Sequence, residues 1–226
     1  GSPTSDPAQG AASSGANGPP VMVVAKILQS PIPLTGPVGV QALAEDPERD
    51  PITYTYQQEQ RGLIHAMLCG REALGTADFW LFLGDEVLVD ANHHAMQQTF
   101  YTEAAFLVCG VVPTTDVERI RKNYTLAFDE NSRQIWRLVE KPLRPFTPYI
   151  GTGHCLFRNE ILRYIDLMPN DARTGNKELA GLIQYAIDVG EKVLCHSFNE
   201  TFHYVNINTY EDYLKLETVL IGDLVR

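Results

Sequence analysis

The first candidate for chemistry is an aspartate at the end of an apolar run. Asp78-Phe79-Trp80-Leu81-Phe82-Leu83-Gly84-Asp85-Glu86 sets five consecutive bulky apolar residues ahead of Gly84, Asp85 and Glu86. An unbroken run of that kind suits a strand covered on both faces, as at the centre of a parallel sheet. Ligands in such sheets bind beyond the carboxyl ends of the strands. A carboxylate there, beside a glycine that admits a ligand, is suited to holding Mg²⁺ on a phosphate group. The same residues, taken alone, also describe a strand-ending turn with a solvated aspartate. Other reactive types are scattered. Cys69, Cys109, Cys155 and Cys195 sit singly in apolar segments, which predicts buried free thiols in a reducing, cytoplasmic setting. His93 and His94 are adjacent rather than helix-spaced, so no zinc spacing arises, and no Ser/His/Asp or Cys/His triad emerges.

The elements that must position Asp85 alternate between strand and helix. Residues 21–28 read as a buried strand, followed by a Pro/Gly-rich stretch, a polar turn, and a short β-rich segment at 52–56. Helical spacing of Leu63, Ile64, Met67, Leu68 and Leu74 predicts a helix over 62–74 that feeds the Asp85 strand, a right-handed parallel crossover. A helix at 91–99, a strand at 104–112, a hairpin of 123–128 with 134–139, and a strand at 149–157 come next. A helix at 159–167 follows. The apolar face of Leu179, Leu182, Ile183, Ala186 and Ile187 predicts another at 176–189, stopped by Gly190. Strands at 192–198 and 203–207 precede a last helix opened by Thr209 and Asp212 as a capping box. The pattern predicts an α/β fold with a mixed, mostly parallel central sheet and a small antiparallel insertion.

Composition narrows the function. A chain of 226 residues, 44% hydrophobic, can bury a sizeable core as one domain over 21–226. Residues 1–20, all small or polar apart from proline, read as a disordered or tag-derived segment. A formal net charge of −10 and a pI near 5.0 argue against a nucleic-acid surface. No apolar run approaches the ~18 residues of a membrane span, and no secretory signal is visible.

Four segments, in order, carry a resemblance. They are Tyr56-Gln57-Gln58-Glu59-Gln60-Arg61-Gly62-Leu63-Ile64-His65-Ala66; Leu83-Gly84-Asp85; Val139-Glu140-Lys141-Pro142 with Tyr149-Ile150-Gly151-Thr152-Gly153; and Tyr204-Val205-Asn206-Ile207-Asn208-Thr209-Tyr210-Glu211-Asp212. Together they resemble the nucleotidyltransferases that join a nucleoside triphosphate to a sugar phosphate, which are Rossmann-like three-layer sandwiches. The resemblance implies that Gln57 and Gly62 meet the base, a carboxamide both donating and accepting, and that Gly84 and Asp85 lie at the nucleotide. It makes Asp85 the first Mg²⁺ ligand and Asn206 the second. Most relatives carry a carboxylate there, so weaker metal affinity follows. Glu140 would reach the sugar hydroxyls, and Lys141 the sugar phosphate and the charge developing in transfer. Thr152 would offer its hydroxyl to the sugar, and Gly153 exposed backbone. Thr125, where relatives commonly have glycine, implies altered sugar specificity. As bare residues, Gln57 is an exposed loop amide, Asn206 a strand-end turn former, and Glu140-Lys141 a solvated turn before proline.

The implied partners are a nucleoside triphosphate and a sugar-phosphate-like molecule, with Mg²⁺ as cofactor, no nucleic acid and no membrane; a homo-oligomer is compatible. Cytidylyl transfer to a phosphonate, polyol phosphate or choline phosphate uses the same elements. A glycosyltransferase with Asp85-Glu86 as metal motif would leave residues 139–142 unexplained. The family's Gly-x-Gly-x-Arg phosphate loop has no counterpart in the sequence, which admits a non-catalytic nucleotide-binding relative. The spacing from Val21 to Gln57 favours reading 21–28 as the family's second strand over its first.

Overall fold

A computed structural model describes residues 21–25, 53, 55–59, 61–89, 91–198, 203–207 and 209–224. The elements are β1 (Val21–Ala25), α1 (Leu63–Cys69), α2 (Arg71–Leu74), β2 (Phe79–Leu83), β3 (Glu86–Val89), α3 (His93–Thr102), β4 (Leu107–Pro113), α4 (Val117–Lys122), β5 (Tyr124–Phe128), β6 (Ile135–Glu140), β7 (Tyr149–Phe157), α5 (Ile161–Leu167), α6 (Leu179–Asp188), β8 (Val193–Ser197), β9 (His203–Asn206) and α7 (Tyr210–Leu224).

The main sheet runs β1-β2-β7-β4-β8. β1 lies parallel to β2 and β4 parallel to β8, while β7 runs against both β2 and β4. The sheet is therefore mixed, with one reversed strand at its centre. The β5–β6 hairpin is the antiparallel insertion, hung on β7 through the Thr125–Ile150 pair. β3 and β9 form a separate antiparallel ribbon.

Alternation along the strands sends side chains to two helical layers. Phe79, Leu81, Leu107, Cys109, Cys155 and Phe157 pack with Ile64 and Met67 of α1, Ile161 and Ile165 of α5, and Leu182 and Ile183 of α6. Trp80, Val108, Leu156 and Leu194 pack on the other face with Met96 and Phe100 of α3 and Ile120 of α4. Each such side chain, fully buried, contributes about 1.5–3 kcal/mol. The two clusters are the two faces of one sheet, so the molecule is the three-layer sandwich the resemblance implies. All four cysteines are free, and burial pushes the Cys195 thiol up to about 12.

Several local expectations are corrected. Thr53, Thr55 and Tyr56 form no strand; 52 and 54 lie outside the described residues, as do 1–20 and 26–28. The helix over 62–74 is broken at Gly70 into α1 and α2. The strand expected from 104 begins at Leu107, because Ala104, at φ 47, closes α3 with Ala105 N–H on the Phe100 carbonyl and its own N–H on that of Tyr101. β3 and α4 come unannounced. The Thr209–Asp212 capping box forms reciprocally, Thr209 N–H and hydroxyl to Asp212 Oδ2, and Asp212 N–H to Thr209 Oγ1. No described helix is long and apolar enough to cross a membrane.

Candidate functional site

One edge of β7 is shared. β4 covers the other edge from Tyr149 to Phe157, so β2 and β5 must both pair on this one. β2 takes Cys155, Leu156 and Phe157, and β5 takes Ile150. Residues 151–154 lie between them with neither strand paired. Asp85 follows the end of β2 and Glu140 ends β6, so the two flank this opening. α1 returns the chain to the start of β2. Because β1 and β2 are parallel, Gly62 at the head of α1 lies at the same carboxyl edge.

The β2–β7 register would carry Leu83 opposite Gly153. Leu83 instead packs where a Gly153 side chain would stand; a Cβ there would lie 2.1 Å from Leu83 Cγ. The Gly153 N–H, without a strand partner, donates to Glu86 Oε2 at 2.7 Å. Glu86 is buried, and burial pushes its carboxyl up to about 7, with Asp85 adding to the rise while the Gly153 N–H and Tyr204 oppose it. β3 pairs with β9 so that Glu86 faces Asn206 and Leu88 faces Tyr204. Ile207 N–H donates to the Asp85 carbonyl at 2.7 Å, which extends the ribbon by one backbone bond and sets Asp85 opposite Ile207, one position along from Asn206. Arg119 steadies this ribbon, stacked 4.5 Å over the Tyr204 ring and donating to the Tyr204 carbonyl at 3.3 Å. A carboxylate and an amide carbonyl are hard oxygens of the kind that suits Mg²⁺ completed by water and phosphate. No group of three His, Cys, Asp or Glu among the described residues would hold a metal unaided.

At the other end, Lys141 has φ 42, a left-handed conformation uncommon for a residue with a Cβ. Its N–H donates to the Asn123 carbonyl at 2.9 Å. Arg173 reaches across to donate Nη2 to the Glu140 carbonyl at 2.5 Å and Nη1 to the Lys141 carbonyl at 3.0 Å. Burial raises the Glu140 carboxyl, and the Lys141 ammonium, 3.7 Å away, opposes this. Thr152 and Gly153 form the wall behind the opening and are not open to it. Thr152 is fully buried, with its hydroxyl donating to the Gly110 carbonyl at 3.2 Å, and the Gly153 N–H is taken by Glu86. Thr125 is likewise buried, its hydroxyl tying β5 to β7 through the Tyr149 carbonyl at 2.7 Å.

The third corner is Gln57 and Gly62. Gly62 has φ 83, and nothing lies within 4 Å of where its Cβ would be, so conformation rather than crowding calls for glycine. Gln57 Nε2 donates to the Gly62 carbonyl at 3.0 Å and lies 2.7 Å from His65 Nδ1. Gln57 is therefore a half-buried, tethered amide and not the free loop amide its sequence context suggests.

Sequence reasoning missed the contacts made by Glu86, Arg173 and His65. Only Glu86 left a trace, a carboxylate opening the run Glu86-Val87-Leu88-Val89; Arg173 and His65 act through contacts that no local pattern announces.

A family profile described as Nucleotidyl transferase matches residues 38–217. The UTP--glucose-1-phosphate uridylyltransferase AglF of Haloferax volcanii is 31% identical over 146 residues, covering 63% of this chain and 57% of that protein. A glucose-1-phosphate thymidylyltransferase of Streptomyces griseus is 27% identical over 143 residues, covering 63% of this chain and 38% of its own. The chain thus spans well under two thirds of the length of these relatives. A solved structure of UDP-glucose pyrophosphorylase complexed with UDP-glucose superposes with a TM-score of 0.67 at 14% identity, over 76% of this chain and 66% of the other, a likeness of fold. The profile runs through Gln57, Asp85, Lys141 and Asn206 alike, and the chain belongs to the nucleotidyl transferase family.

Proposed function

We propose that this chain transfers a nucleoside monophosphate from a nucleoside triphosphate to a sugar phosphate, with release of pyrophosphate, in the cytoplasm. The observation that supports the reading is the β3–β9 pairing, in which Asn206 lies opposite Glu86 and Ile207 N–H meets the Asp85 carbonyl, so the segments carrying Asp85 and Asn206 run next to each other. Gln57 and Gly62 take the base and Gly84 admits the phosphates. Asp85 and Asn206 hold Mg²⁺, which when bound neutralises phosphate charge as a Lewis acid. Glu140 orients the sugar hydroxyls. Lys141 holds the sugar phosphate and offsets the charge that grows in the transition state, while Thr152 and Gly153 shape the wall behind. A sugar-phosphate oxygen bonds to the α-phosphorus as the α–β bridging bond breaks in line, and that electron pair leaves with pyrophosphate. No covalent enzyme intermediate is needed.

The relatives' names point to UTP or dTTP as donor and glucose 1-phosphate as acceptor. The test is a panel of five nucleoside triphosphates against sugar phosphates, polyol phosphates, choline phosphate and phosphonates, read by pyrophosphate release. Release from UTP or dTTP with a hexose 1-phosphate is the expected result. Nucleotide binding with no release from any pair would favour the second reading, a non-catalytic binding module. Absence of binding overturns both.

A further inference from the structure

We infer that His65 sets the base preference of this chain by fixing which atom of the Gln57 carboxamide meets the nucleotide; the inference rests on the transferase reading above. The sense of the Gln57 amide is settled by its contacts. A carbonyl oxygen cannot face the Gly62 carbonyl, so the group 3.0 Å from it is the NH₂. The second amide hydrogen goes to His65 Nδ1 at 2.7 Å, which makes that ring nitrogen the acceptor and puts the ring proton on Nε2. Both hydrogens of Gln57 are thereby spent on described residues, which leaves the acceptor Oε1 as the atom to meet a ligand. Turning the amide over would break the bond to Gly62, set Oε1 against that carbonyl oxygen, and require His65 to move its ring proton to Nδ1. His65 lies within the first turn of α1 and lines a cavity of about 230 Å³ with Arg61, Asn176 and Lys177.

An acceptor at that point matches the N3–H at the middle of a uracil or thymine edge. Cytosine offers a lone pair at the same place and meets Oε1 only through its exocyclic amine, displaced along the edge. The geometry therefore favours a uridine or thymidine triphosphate over a cytidine triphosphate, and His65 is a positioning residue acting through Gln57.

The experiment measures dissociation constants for UTP and CTP, by calorimetry with Mg²⁺, in the wild-type chain and in His65→Leu, His65→Asn and Gln57→Leu. Leu removes the acceptor; Asn keeps an oxygen near the position of Nδ1. The wild type should prefer UTP. His65→Leu should reduce the affinity preference for UTP over CTP, Kd(CTP)/Kd(UTP), by about fivefold, the worth of one hydrogen bond. His65→Asn should restore most of the ratio, and Gln57→Leu should abolish it with His65 intact. An unchanged ratio in His65→Leu, or in Gln57→Leu should the first variant not fold, overturns the inference and leaves the transferase reading standing. A wild-type chain that binds no triphosphate removes both.

Discussion

The two ends of the opening on β7 are built by opposite means. At the β2 end, Asp85 sits between two paired strands and above a buried carboxylate, Glu86, that closes the gap to Gly153. At the β6 end, Lys141 hangs in a left-handed conformation held by a backbone carbonyl and by Arg173, whose side chain is half exposed. One end is part of the core; the other is tied on from outside. The difference suits the ligands proposed for each. Mg²⁺ tolerates little error in ligand geometry, so its carboxylate belongs on a fixed support. An ammonium on a flexible stem meets a phosphate as a point charge from many angles, so its backbone need only be held near.

The largest test of this contrast is Asp85→Ala, expected to lower transfer by on the order of a hundredfold or more with little change in thermal midpoint, since an oxygen ligand is lost and no packing is. Glu86→Ala should fail differently. It strands the buried Gly153 N–H and leaves a void, at about 2–4 kcal/mol measured by denaturant unfolding, and activity should fall with stability. Beneath the same rigid end, His154 and His93 are hydrogen-bonded at 2.8 Å among Phe82 and Phe198, and burial pushes His154 down to about 4. The unfolded chain binds a proton near pH 6.5 that the folded chain refuses until near pH 4. Stability should therefore fall as pH drops through that window, by about 2 kcal/mol at pH 5 from His154, and His154→Phe should flatten the slope.

Arg173→Ala probes the tied-on end: KM for the sugar phosphate should rise about tenfold while triphosphate affinity holds, and stability should change by less than about 1 kcal/mol. Loss of stability comparable to that of Glu86→Ala would erase the contrast. The smallest effect is Lys141→Gly against Lys141→Ala. Glycine should be the more stable by about 1 kcal/mol because it relieves the positive φ, with both variants equally weak toward the sugar phosphate.

Much of the frame was legible because it is written in local pattern. The apolar runs that became β2, β4 and β7 are buried on both faces, and the one-sided stripe from Leu179 to Ile187 is the core face of α6. The reciprocal Thr209–Asp212 cap was visible as spacing. What escaped depends on chain brought from far away. β3 is short and finds its partner β9 more than a hundred residues later, so neither register nor the Glu86–Asn206 pairing is written in either segment. Ile52 to Tyr56 has β-branched and aromatic residues, yet its described members form no strand and lead to Gln57, whose amide is bonded to the Gly62 carbonyl. Thr152 and Gly153 were expected to face a sugar, but both are buried, with Leu83 and Gly110 packed against them, which sequence order does not reveal.

The most direct test is calorimetric titration of UTP with and without Mg²⁺ into the wild-type chain, Asp85→Ala and Asn206→Asp. Mg²⁺ should tighten binding to the wild type, tighten it further once residue 206 carries a carboxylate, and make no difference to Asp85→Ala. An Mg²⁺-dependent gain that survives in Asp85→Ala would contradict the account.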